Sequence, residues 1–158
     1  MTTSDDRAVM LGEIRYAERL CQRTARLYRR IQAVTTFFAI LGGSAAFGSA
    51  LSTDVPDWLP IVSACVLAVF GAASIAVRPA DKAAQNEQDV KRYAALRAKE
   101  QSLDDAALRH AINEAHHGDA PEIEALRDVA YNDVVTERGQ PTFAIDLTFQ
   151  QKIIAAFA

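Results

Sequence analysis

Two long uncharged runs constrain this chain more than any other feature of its sequence. Residues 33–52 (AVTTFFAILGGSAAFGSALS) and 59–77 (LPIVSACVLAVFGAASIAV) contain 20 and 19 residues without a single charge. At 1.5 Å per residue, a helix of this length spans about 30 Å, which is the thickness of a hydrocarbon core. A chain of 158 residues leaves no second layer to cover both runs in a soluble bundle. The sequence therefore predicts two transmembrane helices.

The connection between the two runs is too short for anything but a tight turn. It reads TDVPDW, residues 53–58, so the two helices are expected to be antiparallel neighbours in a hairpin. Trp58 stands just outside the second run, where an amphipathic indole ring favours the membrane interface. A cleavable signal peptide is not expected, because a long segment rich in arginine precedes the first run.

The flanking charges predict the orientation of the hairpin. Arginines precede the first run, ending with Arg29 and Arg30, and Arg78 follows the second run, whereas the turn carries Asp54 and Asp57 and no basic residue. Because Lys and Arg accumulate on the cytoplasmic side, both termini are expected to be cytoplasmic. We therefore expect a multi-pass membrane protein, with interfacial residues Arg29, Arg30, Trp58 and Arg78.

Small residues recur along both runs. In lipid, helices associate by the close packing of such residues rather than by the hydrophobic effect. These positions form a candidate packing face: Gly42, Gly43, Ser44 and Gly48 in the first run, and Ala64, Ala68, Ala72 and Ala76 in the second. Two interpretations stay open. The face joins the two halves of one hairpin, or it joins several hairpins into a homo-oligomer.

The segment before the hairpin, residues 1–32, is predicted to be one cytoplasmic helix. Apolar and small residues recur in it with heptad spacing, and arginines fill many of the other positions. The members of this seam are Met10, Ile14, Ala17, Cys21, Thr24, Tyr28 and Ile31. We expect the seam to pack on the C-terminal helices rather than to form an independent coiled coil.

The segment after the hairpin, residues 78–158, is predicted to form a cytoplasmic bundle of helices. A long helix is expected first, with Ala83, Val90, Ala94 and Leu96 as its buried residues. Ser102 is expected to cap the next helix, which Gly118 would end in a left-handed conformation. Pro121 is expected to start another helix, which has Ile123, Leu126, Ala130 and Val134 on one face and ends at Gly139 and Pro141. The apolar tail from Phe143 is expected to dock as a short helix. The fold class is thus an all-α membrane protein.

Residue patterns that carry chemistry are scarce in this sequence. His110, Glu114 and His117 share one helix face, but a solvated polar face is the preferred interpretation over a divalent metal site. Phosphate-binding loops, nucleophile elbows and CxxC pairs do not occur. A net charge of -3 does not favour nucleic-acid binding. We expect no enzymatic activity, no cofactor and no metal.

The segments EIRYAERLCQRTARLYRRIQ before the first run and RPADKAAQNEQDVKRYAALRAKEQ after the second resemble the SLATT family. This family comprises two-transmembrane effector domains associated with SMODS and SLOG proteins in bacterial defence. The resemblance implies a homo-oligomer in the bacterial inner membrane, which permeabilises that membrane when a cytoplasmic sensor protein or a nucleotide second messenger signals infection.

Two functions are weighed at this point, beside a third, a subunit of a larger transporter or envelope machine. The first is an oligomeric pore-forming effector of an anti-phage or stress response. The alternative is a non-conducting membrane scaffold that presents a helical docking surface to a cytoplasmic partner. A polar stripe through both runs would distinguish the two functions, and the sequence offers only a broken one.

Overall fold

The computed structural model describes residues 3–51, 56 and 58–158, and over these residues the fold is all-α with no β-strand. The predicted fold class is confirmed in this respect. The helices in chain order are α1 (Thr3–Leu51), α2 (Trp58–Val77), α3 (Pro79–Lys99), α4 (Asp105–His117), α5 (Arg127–Glu137) and α6 (Phe149–Phe157). Two short 3₁₀ turns, Glu124–Leu126 and Pro141–Phe143, precede α5 and follow it.

The chain divides into two compact units. The first, the helical unit, combines the chain up to Leu27 with Lys82–Ala158, and the second, the apolar unit, is Tyr28–Asp81. Helix α1 supplies residues to both units, because its 49 residues extend across the boundary. The boundaries lie within about five residues of the start of the first uncharged run and of the end of the second.

The main core of the helical unit lies between α1, α3 and α4. The predicted seam of α1 supplies Met10, Ile14, Ala17 and Cys21, all of which are buried. They pack against buried residues of the two other helices: Tyr93, Leu96, Leu108, Ile112 and Ala115. The prediction that the seam packs on the C-terminal helices is confirmed.

A second core lies where α1 meets α5 and the tail. Leu20 of α1 packs there with Leu126, Val129 and Ala130, and Ala158 closes the cluster. Leu126, Ala130 and Val134, which the sequence placed on one helix face, are all buried. The helical spacing of these apolar residues therefore predicted the packing face of α5 correctly.

The expected cap of α4 was wrong by two residues. The N-cap is Asp104, whose Oδ1 accepts a hydrogen bond of 2.7 Å from the amide of Ala107. Ser102 instead donates to the carbonyl of Lys99 at the end of α3. Both side chains are of the N-cap type, so local sequence alone did not distinguish them.

The start of the next helix was also misplaced. Pro121 precedes the 3₁₀ turn Glu124–Leu126, and α5 begins only at Arg127. The end was predicted correctly, because α5 stops at Glu137 and Gly139 follows with a φ of 70°. Glycine adopts this left-handed conformation at no steric cost.

In the apolar unit, one apolar stretch is long enough to cross a membrane. It lies within the helical segment Trp58–Lys99 and has a mean hydropathy of 2.2. This confirms the second predicted run as a span-length apolar helix. The first run is helical from Ala33 to Leu51, but it lies in α1, which carries Arg29 and Arg30 in the turn before it.

Two span-length helices were predicted, and one of them is confirmed among the described residues. The end of the first run, Ser52, and the connecting turn 53–58, apart from Pro56 and Trp58, lie outside the described residues.

Candidate functional site

The apolar unit contains an antiparallel helix contact centred on Gly42. A Cβ added at Gly42 would lie 2.9 Å from the backbone nitrogen of Leu67 and 3.0 Å from the carbonyl oxygen of Ser63. One turn earlier in α1, the ring of Phe38 stacks on Phe70, with centroids 4.7 Å apart and an interplanar angle of 18°. Residue numbers rise in α1 as they fall in α2, so the two helices are antiparallel. The backbones approach closely because residue 42 has no side chain.

The predicted packing residues separate into two groups in this unit. Gly42 is buried in the helix contact, and Gly43 lies at ordinary contact distance from the side chain of Leu67. The others are exposed: Ser44, Gly48, Ala64, Ala68, Ala72 and Ala76. The alanine stripe of α2 therefore lies outside the contact that holds the two helices together.

The four predicted interfacial residues are all exposed. Trp58 is 61% exposed at the start of α2, and the side chains of Arg29 and Arg30 lie at the surface of α1. Arg78 interrupts the helix between α2 and α3, because its backbone has a φ of 49°. Its Nε lies 3.0 Å from Oδ2 of Asp81. Arg78 is thus held in a left-handed conformation immediately before Pro79.

A buried polar network fastens the loop after α4 to helix α3. Asp89, only 2% exposed, accepts a 2.9 Å hydrogen bond from the amide of Ala120 and pairs with Arg92 at 2.9 Å. The hydroxyl of Tyr93 donates to Asp119 at 2.5 Å, and Arg92 lies 3.6 Å from the other oxygen of that carboxylate. Oδ1 of Asp119 is buried and accepts no hydrogen bond, so the charge of Arg92 at 3.6 Å is what compensates its burial.

Gly118 makes room for this network. The expectation of a left-handed cap was wrong, because Gly118 has a φ of -103°. A Cβ at this position would lie 2.8 Å from Nη1 of Arg92, which donates to the carbonyl of Ala115 at the end of α4. A side chain at residue 118 would therefore displace the guanidinium group of Arg92, whereas the backbone conformation does not call for glycine.

The arginines of α1 are used for contacts within the helical unit. Arg7 pairs with Asp105 and donates to two carbonyls in the loop between α3 and α4. Arg19 pairs with Glu137, and Arg23 pairs with Asp133. Glu18, buried in α1, pairs with Arg97 of α3 at 3.0 Å. These ion pairs fasten α1 to α3, α4 and α5 around the two cores.

Two titratable groups in the core stay neutral near pH 7. Burial raises the pKa of the Cys21 thiol to about 12, with further contributions from the carboxylates of Asp119 and Asp89. Burial also raises the pKa of Tyr93, and the hydrogen bond to Asp119 adds to the effect. Because thiolates rather than thiols are nucleophilic, Cys21 is inert in the folded protein.

The histidines of α4 do not converge on a metal site. His110, Glu114 and His117 are all exposed, and Nδ1 of His117 lies 2.7 Å from the carbonyl oxygen of Asn113. Within the described part of the chain, no group of three or more His, Cys, Asp or Glu side chains is arranged to hold a metal ion.

The sequence interpretation missed the buried network of α3. Asn86, Asp89 and Tyr93 are each at most 2% exposed, although the first two are polar. A signal was present, since these residues and Leu96 are spaced by three and four positions, as on one buried helix face. The polar members hid this face from a pattern based on apolar residues.

Comparisons with known proteins give no relative from which a function could be transferred. No protein-family model, no curated protein and no solved structure matches this chain.

Proposed function

We propose that this chain is an integral membrane protein anchored by the hairpin 33–77, with both termini in the cytoplasm of a bacterium. The observation that carries this proposal is the exposure of the apolar helix. Only 6% of the apolar window of α2 is buried within the protein, whereas the core helix of a soluble protein is mostly buried. A bilayer is the environment that removes such a surface from water.

The remainder of the apolar unit supports the same interpretation. Large apolar side chains point outward on both of its helices, with exposures from 40% to 79%: Val34, Phe37, Ile40, Leu41, Ile61, Val62, Leu67, Val69 and Ile75. An apolar surface of this kind on a soluble monomer would promote aggregation. Because both helices expose surface suited to lipid, the run 33–52 is proposed to span the membrane together with the run 59–77.

The exposed alanine stripe favours self-association. Gly42 is occupied by the contact within the hairpin, whereas Ala64, Ala68, Ala72 and Ala76 lie on the surface. Small residues at intervals of four allow the close approach of a second helix in lipid. The hairpins accordingly assemble into a homo-oligomer through the stripe on α2.

The activity proposed for this oligomer is permeabilisation of the inner membrane in an anti-phage or stress response. Its support is the resemblance of the segments flanking the hairpin to the SLATT family. The helical unit then receives the signal from a cytoplasmic sensor, or from the nucleotide second messenger of a partner system. Ion pairs join α1 to α3, α4 and α5, so a signal that reaches any of these helices acts on the helical unit as a whole.

The test measures insertion first and conductance second. The chain is expected to float with membranes and to resist extraction at alkaline pH. Induced expression with a potential-sensitive dye then compares the wild type with Ala68→Leu and Ala72→Leu. Val69→Leu is a matched control, because Val69 is 64% exposed on the same helix but lies outside the stripe.

Depolarisation that is lost only in the two stripe variants supports the oligomeric effector. Depolarisation unaffected by all three variants rejects the stripe as the oligomer interface. Failure to float rejects the membrane protein altogether.

The alternative function, a non-conducting scaffold, is favoured by one observation in the helical unit. An open groove runs between α1 and α5, and its lining includes Val9, Glu13, Tyr16, Tyr131, Val134 and Arg138. A groove that combines apolar side chains with one acidic and one basic side chain suits a cytoplasmic peptide or helix. The scaffold predicts partner binding that survives replacement of the hairpin by an unrelated anchor, and no depolarisation in any strain.

A further inference from the structure

Helix α6 is oriented with its largest side chains outward. Ile154 and Ala155 pack on the second core, together with the small Ala158. On the opposite side, Phe149 is 78% exposed and Phe157 is 54% exposed. A surface helix of a soluble domain normally turns its large apolar residues towards the core. The outward face of α6 therefore serves something other than the core of its own unit.

Specific hydrogen bonds fix this orientation. Thr148 and Gln151 form a reciprocal capping box at the start of α6. Gln151 donates to Asp128 of α5 at 2.7 Å, and Arg23 of α1 donates to the carbonyl of Ala155 at 3.3 Å. Rotating α6 to bury its aromatic rings would break these contacts.

The segment before α6 adds two more exposed apolar residues. Phe143 is 63% exposed and Ile145 is 46% exposed. The backbone of Ile145 is bonded in both directions to the Asn132 amide, N to Oδ1 at 2.7 Å and O to Nδ2 at 2.8 Å.

Asn132 and Asp128 are one turn apart on α5, so the segment around Ile145 and helix α6 lie along the same side of that helix. We call the resulting exposed set the tail patch: Phe143, Ile145, Phe149, Ile153 and Phe157.

We propose that the tail patch docks on the lipid bilayer, at the boundary between headgroups and acyl chains. This inference rests on the proposed membrane insertion, because the hairpin ties the helical unit to a bilayer and raises the effective concentration of lipid. Gln150 and Lys152 flank the outward apolar arc of α6, and both are exposed. An apolar arc bordered by a lysine is the pattern of helices that lie in the membrane interface.

Charge favours lipid over a second copy of this chain. Helix α6 contains Lys152 and no acidic residue, and the one acid of the tail, Asp146, lies before the helix. Two copies joined symmetrically through this face would bring the two Lys152 ammonium groups towards each other at the border of the contact, where like charges repel. At a bilayer, the same lysine extends towards the headgroup phosphates while its methylene groups cover apolar surface.

The experiment uses tryptophan fluorescence, because the sequence contains a single tryptophan, Trp58, which can be replaced. In a Trp58→Phe background, Phe149→Trp and Phe157→Trp each place an indole in the tail patch. Asn113→Trp, on the exposed side of α4, is the matched control. The variants are reconstituted into phosphatidylcholine–phosphatidylglycerol vesicles with or without brominated acyl chains, and wild-type Trp58 reports on the hairpin itself.

The tail patch reporters are expected to emit at shorter wavelength than the Asn113→Trp control and to be quenched by the brominated lipid. With the reporter at position 157, the double change Phe149→Ser and Ile153→Ser is expected to abolish the quenching. Gln150→Ser, which alters only the polar border, should leave the quenching unchanged.

Three results would overturn the inference, and they separate its failure from that of the proposed function. The first result is a chain that floats with vesicles while the tail patch reporters show the emission wavelength and quenching of Asn113→Trp. It would overturn the docking and leave membrane insertion intact. A blue shift that ignores bromine but grows with the ratio of protein to lipid would assign the patch to a second copy. A chain that does not float with vesicles would overturn both proposals.

Discussion

Arg23 of α1 forms a two-pronged ion pair with Asp133 of α5, although 110 residues separate them in sequence. Nε lies 2.8 Å from Oδ2, and Nη2 lies 2.9 Å from Oδ1. Both side chains are mostly buried, at 22% and 24% exposure, so water screens the pair only partly. The carboxylate also raises the pKa of the Arg23 guanidinium. This pair joins the N-terminal helix of the helical unit to its C-terminal part.

The Arg23–Asp133 pair predicts a measurable coupling energy. A double-mutant cycle with Arg23→Ala and Asp133→Ala is expected to give about 1–2 kcal/mol, measured by thermal unfolding in detergent micelles. Arg23→Lys should recover less than half of it, because an ammonium group does not match both carboxylate oxygens. The exposed pair Arg127–Glu122, whose members are 5 residues apart in sequence, is the control and should couple by less than about 1 kcal/mol. Equal coupling in the two cycles would contradict the prediction.

Gly42 is predicted to control the closure of the hairpin. A methyl group at this position would meet backbone atoms of α2 at 2.9 and 3.0 Å, so Gly42→Ala must push the two helices apart. Gly48→Ala is the matched control, because a Cβ there meets no atom within 4 Å and alanine favours helix.

The readout is disulfide formation between Phe38→Cys and Phe70→Cys in a background without Cys21 and Cys65. The Gly42→Ala change should lower the yield several-fold, and Gly48→Ala should not. A yield insensitive to Gly42→Ala would show that the two helices do not pack through this residue.

Cys21 is predicted to resist alkylation until the helical unit opens. Its thiol is buried with a pKa of about 12, against an ordinary value of 9.0. Because the fold holds the proton more tightly than the unfolded chain, this contribution to stability is complete below pH 9 and is lost as the pH rises towards 12. Maleimide labelling of a Cys65→Ala variant should therefore be slow at neutral pH and accelerate in alkali together with unfolding. Labelling at the rate of a free thiol at pH 7 would contradict the buried position.

Arg78 is predicted to store backbone strain between α2 and α3. Its φ of 49° lies in the left-handed region, which glycine adopts without a steric penalty. Arg78→Gly should accordingly be more stable than Arg78→Ala by about 1 kcal/mol in micelle unfolding, since both lose the arginine side chain. Asp81→Ala, which removes only the exposed ion pair, should change stability by less than the difference between those two variants. Equal stability of the glycine and alanine variants would exclude strain at this position.

Apolar periodicity predicted the cores of the helical unit well, and it failed where polar groups are buried. Met10, Ile14, Ala17 and Cys21 repeat at regular intervals, and each is buried in the structure. Asp89 belongs to an equally buried face of α3, but its burial depends on a hydrogen bond from the amide of Ala120, 31 residues later. A pattern within one helix contains no information about such partners.

In the hairpin too, the sequence predicted suitable packing residues but not which helix each of them contacts. The sequence placed Gly42 and the alanine stripe of α2 in one set of candidate packing residues. Only backbone geometry separates them, because the approach of Leu67 and Ser63 to Gly42 is a property of two helices together. The predicted residue types were suitable, whereas their assignment to an inner and an outer face required coordinates.

The sequence by itself determined the all-α class, the apolar helix of α2 and the seam of α1, because these follow from composition and from spacing along one helix. The tertiary structure decided which arginines of α1 are paired, why residue 118 is glycine, and which side of α6 faces outward. The tail is apolar on both sides, so no periodicity could orient it. Its orientation depends on Gln151 with Asp128 and on Arg23 with the carbonyl of Ala155, contacts between helices that are distant in sequence.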